Sequence, residues 1–138
     1  MVQALSHVSW LAVLVAAVAN FVLGGVWFAA LFDKAYAAAL GIADRPASKP
    51  SALMLAGPFV CSLFTIATTA VLLRALGVTT YGDAAGVGLV VGIGYLAAMT
   101  VNIAINPLFP APFRYAAINV PYFVVGSVLS CLVLTAMQ

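Results

Sequence analysis

The side chains in this chain that bear on chemistry are few and uncharged. Asn20, Thr65, Tyr95, Asn102, Asn106, Asn119 and Tyr122 are each set within or beside a long apolar stretch. Amides, hydroxyls and phenols exchange hydrogen bonds without titrating near neutral pH, so their chemistry here is hydrogen bonding, to one another or to a solute. Within a membrane, such groups either tie helices together or line a polar path, and the first use is the commoner one. Reactive groupings are missing. No nucleophile stands near a His or Lys base, and no glycine-rich phosphate loop precedes a helix, so catalysis has no candidate constellation and the chain is expected not to be an enzyme. No metal or cofactor is expected either. His7 has no second ligand in view, and Cys61 and Cys131 are too few and too far apart for a metal framework.

The elements that position these residues follow from composition. Of the 138 residues, 66% are hydrophobic and 6% charged, with a net charge of +2 and a mean hydropathy of +1.22. A soluble domain carries about 25% charged residues, so this chain belongs in a bilayer. Spans of about 20 residues leave room for four crossings in a single domain, residues 1–138. They are expected at about 8–31, 52–76, 84–106 and 115–137, which makes an all-α, integral membrane four-helix bundle with short loops. The only acidic residues, Asp33, Asp44 and Asp83, fall outside those limits. A carrier that works through a buried carboxylate, as small four-helix drug antiporters do, would lack its titrating group. Five Lys and Arg cannot build a polyanion-binding face, which excludes nucleic acid as a partner.

Helical spacing then assigns faces. On an uninterrupted helix, Gly88, Gly92, Tyr95, Met99, Asn102 and Asn106 share one stripe, expected to face protein while Val, Leu and Ile face lipid. Asn20, Gly24 and Trp27 share a face of the first span. Pro58, Ser62, Thr65 and Thr69 share one of the second, and Asn119, Tyr122, Gly126 and Ser130 one of the fourth. Gly24, Gly88, Gly92 and Gly126 are the expected packing positions, and the GxxxG of Gly88 and Gly92 is expected to pack against neighbours in its own chain. Asn20, Thr65 and Tyr95 are expected inward near mid-depth, with Asn102, Asn106, Asn119 and Tyr122 nearer one end. Trp10, Trp27, Lys34, Arg74 and Arg114 read as interface anchors. Asp83 is expected to cap the third span, and Gly41 and Gly77 to stop helices. Lys34, Arg45, Lys49 and Arg114 lie on one side and Arg74 on the other, which places both termini away from the cytoplasm.

The run VLGGVWFAALFDKAYAAALG, with Gly24, Gly25, Trp27, Phe28, Leu31, Phe32, Lys34 and Tyr36, resembles a family of small four-span bacterial membrane proteins known as domain of unknown function 1761. The stretches around Asn102 to Asn106 and around Asn119, Tyr122 and Gly126 are similar as well. In this chain Phe28 stands where Tyr is frequent, Ala30 where Pro is usual, and Asp33 where a small residue is found. The resemblance implies the four-span fold and a bacterial inner membrane, and it implies no activity. The expected function is a non-enzymatic structural or interaction module in contact with membrane lipid, self-associating or joined to a larger membrane complex. The alternative is a passive channel for a small uncharged polar solute, lined by Asn20, Thr65, Tyr95 and Asn102. A third reading is lipid or pigment binding by the aromatic groups between Trp27 and Phe32 and between Phe109 and Tyr115.

Overall fold

A computed structural model describes residues 6–45 and 51–137. Lys49, used above in the charge comparison, lies outside the described residues, as does most of the first loop. The described chain is helical, with no strand. The elements are α1 (Trp10–Gly25), a π-helical turn π1 (Val26–Leu31), α2 (Asp33–Ala39), α3 (Ala52–Ala75), α4 (Tyr81–Val91), a second π turn π2 (Gly92–Ala97), α5 (Ala98–Ala104) and α6 (Pro112–Ala136). Four stretches are long and apolar enough to cross a membrane: Trp10–Leu31, Ala52–Ala75, Tyr81–Ala104 and Pro112–Ala136, here spans 1 to 4.

Local chemistry sets the ends. The Ser9 hydroxyl accepts from the Ala12 amide and Ser51 from Met54, which opens spans 1 and 2. Span 2 closes on Gly77 at φ +66°, where the Gly77 amide reaches Arg74 O and the Val78 amide reaches Leu73 O. Gly41, at φ +67°, ends α2 through the same pair of bonds. Only glycine adopts that φ without strain while satisfying two carbonyls left over at a helix end. Two limits differ from the sequence reading. Thr80, rather than Asp83, caps span 3, its hydroxyl accepting from the Asp83 amide at 3.1 Å and donating to the Asp83 carboxylate at 2.7 Å. Asp83 therefore lies inside the first turn of span 3, where its charge favours the helix N-terminus. Span 4 begins at Pro112, because proline at a first helical position gives up an amide that would have no helical partner.

Span 4 is the hub. It packs against spans 1, 2 and 3, while span 1 also packs on span 2 and span 3 packs extensively only on span 4. The apolar core fills the half of the bundle where spans 1 and 3 begin, with Ala12, Ala16, Ile66, Leu73, Cys131 and Leu134 among its members. The half toward Lys34 and Arg114 is packed with aromatic rings.

Span 3 departs most from the expected stripe, and the cause is π2. Its buried residues are Ala84, Gly88, Gly92, Ala97, Thr100 and Ala104, a spacing that widens to five between Gly92 and Ala97. A π turn inserts one residue and rotates everything after it by about 100°. Gly88 and Gly92 keep their place on span 4, whereas Tyr95, Met99, Asn102 and Asn106 leave it and face outward.

A Cβ at Gly88 would stand 2.7 Å from Val128 Cα, and one at Gly92 would stand 3.0 Å from Val124 Cα. The two backbones are thus as close as the glycines permit. Gly88→Ala is expected to force spans 3 and 4 apart and lower stability by about 1–3 kcal/mol. Gly86→Ala, which meets nothing within 4 Å, should be neutral or stabilising by up to about 1 kcal/mol. Thermal unfolding in detergent measures both, and equal losses for the two variants would contradict this packing.

Candidate functional site

Asn20 is the most heavily partnered polar group in the bundle. It sits one turn above Ala16 on the buried stripe of span 1 and is 7% exposed. Its Nδ2 donates to Ala16 O at 3.3 Å, to Gly126 O at 3.2 Å and to the Ser130 hydroxyl, while Ser130 donates to Gly126 O at 2.8 Å. A Cβ at Gly126 would collide with Asn20 Oδ1, so the glycine is the recess that admits the amide. In a medium without water this arrangement spends the Asn20 donor on protein and leaves it no role toward a solute.

A second tie lies toward the basic end. Trp27 Nε1 donates to Ile118 O at 3.0 Å, next to the carbonyl of Ala117, whose helical donor Pro121 cannot supply. Trp27 is half-buried and turned into the bundle, on the inward face that spacing assigns it with Asn20 and Gly24. Around it runs a continuous set of ring contacts: Trp27 with Phe32 and Tyr122, Phe28 with Tyr122 and Tyr36, and Tyr115 with Tyr36 and Phe109. Gly24 leaves room for the Tyr122 hydroxyl, which would stand 3.0 Å from a Cβ there. Tyr36 lies beyond the end of span 1. Burial in this cluster, with the Tyr115 phenol beside it, pushes the Tyr36 phenol up to about 12.

The other sequence-predicted residues do not converge. Asn119, 3% exposed, donates Nδ2 to Tyr115 O of its own helix at 2.8 Å. Thr65 is exposed on span 2 and back-bonds to Cys61 O at 3.1 Å. Asn106 Oδ1 accepts from the Leu108 amide in the turn after span 3. Tyr95 is 71% exposed, and Asn102 faces outward beside it. Tyr95 and Asn102 make no hydrogen bond among the described residues. The inward, mid-depth positions expected for Thr65 and Tyr95 are therefore corrected. Asn20, Thr65, Tyr95 and Asn102 point to different surroundings and enclose no common passage.

Of the anchors, Trp10, Lys34, Arg74 and Arg114 are exposed at span ends. Cys61 is exposed and Cys131 buried, both as free thiols. Two features were missed from sequence. One is the recess at Gly126 for Asn20, whose signal is the coincidence of a mid-span Asn with a mid-span Gly-x-x-x-Ser. The other is a cleft between spans 2 and 3 of about 670 Å³, walled by Leu72, Leu76, Gly86, Val87 and Val90, with Asp83 at one end and Tyr95 at the other. Its signal is a second glycine pair, Gly82 and Gly86, on the side of span 3 away from Gly88.

The Asn20 clamp makes a non-additive prediction. Asn20→Ala should lower stability by about 2 kcal/mol and Gly126→Ala by about 1–3 kcal/mol. The double variant should lose less than the sum, because alanine at 126 fits once Oδ1 is gone. Full additivity in thermal unfolding would show that the two residues do not share a space. Alkaline titration gives a second check. The folded Tyr36 phenol holds its proton above the ordinary value of 10, so stability falls as pH rises from about 10 toward 12, where the unfolded chain ionises first. The phenolate absorbance should include a late-titrating component that Tyr36→Phe removes, and a curve unchanged by the substitution would contradict the burial.

These four apolar helices, tied by Asn20 and Trp27 across span 4, make the protein a multi-pass membrane protein. Neither a curated protein nor a solved structure matches it. One family model, described as "Protein of unknown function (DUF1761)", matches residues 11–135, nearly the whole chain. The chain belongs to that family, DUF1761.

Proposed function

We propose that this protein is a non-enzymatic interaction module of a bacterial inner membrane, with both termini away from the cytoplasm, and that it joins other membrane subunits through the outer face of span 3. The observation that carries this reading is the outward stripe of Tyr95, Met99 and Asn102. A phenol near mid-depth and an amide farther along the same span have no hydrogen-bond partner among the described residues, which is costly against lipid and is relieved when another helix supplies the partner. Gly94, beside Tyr95, meets nothing within 4 Å and permits close approach. Span 3 is also the span that packs extensively on only one neighbour. A conducting path has no comparable support, because the polar groups that would line it are spent in the Asn20 clamp, bonded back to their own helices, or on separate outer surfaces.

The test is the native mass of the protein extracted gently from its own membranes. The expected species exceeds one chain. Asn102→Leu should raise its dissociation constant about three- to twentyfold, the equivalent of about 0.6–1.7 kcal/mol for one interhelical hydrogen bond. Gly25→Leu, at a glycine that also meets nothing within 4 Å but lies on span 1, should leave it unchanged. A single-chain mass for the unmodified protein at every concentration would remove the reading.

A further inference from the structure

The cleft between spans 2 and 3 is not used by the contacts described above. It runs from Asp83, in the first turn of span 3, to Tyr95. Twelve residues of helix make that about 18 Å, which is one leaflet from headgroup level to near the bilayer centre. Spreading about 670 Å³ over that length leaves a cross-section on the order of 40 Å², about half that of an α-helix. Hydrocarbon chains fit a slot of this width. Its walls are apolar, and Gly86 keeps them smooth, since a Cβ there meets nothing within 4 Å.

The polar end has one sign. Among the described residues Asp83 is the only charged one lining the cleft. One of its carboxylate oxygens accepts from the Thr80 hydroxyl, and a carboxylate has capacity for further donors. Arg74, at the same end of the bundle, borders a separate small pocket with Val8, Ser9 and Ala12, on the side of span 2 toward span 1. A cleft one leaflet deep, apolar along its length and headed by a lone carboxylate matches a phospholipid whose headgroup ends in a primary ammonium.

We propose that the cleft between spans 2 and 3 is a binding site for phosphatidylethanolamine, with its acyl chains against Leu72, Leu76 and Val90 and its ammonium on Asp83. Ammonium donors pair with the carboxylate, a contact that phosphatidylglycerol cannot make and that a choline headgroup makes without hydrogen bonds. This site is separate from the Tyr95, Met99 and Asn102 stripe except where both meet at Tyr95, and it stands whether or not that stripe binds protein.

The test uses the full chain in bilayer discs of equal parts phosphatidylethanolamine and phosphatidylglycerol, released into the gas phase so that retained lipid is weighed. Phosphatidylethanolamine should be retained over phosphatidylglycerol by about tenfold or more, the scale of one charge-assisted hydrogen bond. Asp83→Asn keeps an acceptor for the Thr80 hydroxyl at that position and should bring the ratio to within about twofold of unity. Gly86→Leu should remove retained lipid of both kinds, and Gly25→Leu should change neither. Equal retention of the two lipids by the unmodified protein, or a preference indifferent to Asp83→Asn, overturns the proposal. So does a Gly86→Leu variant that loses bound polypeptide while keeping its lipid, which would make the cleft a helix-docking groove.

Discussion

The bundle depends on how closely span 4 can be approached. Lipid tails are as apolar as leucine, so burial alone gives these helices little reason to associate, and packing and hydrogen bonds must hold them. Both operate on span 4. On one side Gly126 leaves a recess into which Asn20 inserts, donating to Gly126 O and Ser130. On the other, Gly88 and Gly92 let the backbone of span 3 rest on Val124 and Val128. Removing the first would leave the Asn20 amide facing hydrocarbon, and removing the second would part the backbones of spans 3 and 4.

From this constraint the division of the molecule follows. The half around Leu73, Cys131 and Leu134 is a dry aliphatic core. The other half, from Trp27 to Phe109, is filled by aromatic rings, with the Trp27 indole donating to the Ile118 carbonyl, a suitable lining where the bilayer gives way to headgroups. Span 3, packed extensively on span 4 alone, is left with an outer surface to offer. On that surface polar side chains, open glycines and a one-leaflet cleft occur together.

Much of this was legible in the residues. Apolar runs of more than 20 residues can only be spans, Ser51 reads as a cap, and Gly41 and Gly77 read as stops, because each is dictated by local chemistry. The mutual position of Asn20 and Gly126 was not legible, since each falls on the small, polar face of its own helix and nothing local says which faces meet. The outward turn of Tyr95, Met99 and Asn102 was hidden for a different reason. Periodicity assumes 3.6 residues per turn, and the single residue inserted by the π turn at Gly92–Ala97 shifts the phase of all that follows. Glycines at 92 and 94 loosen the helix there, but no residue pattern announces a π turn as a serine announces a cap. The inward face of Trp27 was legible from its spacing with Asn20 and Gly24, but its partner, the Ile118 carbonyl on span 4, was not.

The central claim is that the outer face of span 3 meets protein. It is tested most directly by a photoactivated crosslinking side chain placed at Met99 and, for comparison, at Val60 on the exposed side of span 2, in the protein's own membranes. The account predicts polypeptide adducts from position 99 and lipid adducts alone from position 60. Lipid adducts alone from both positions would contradict it.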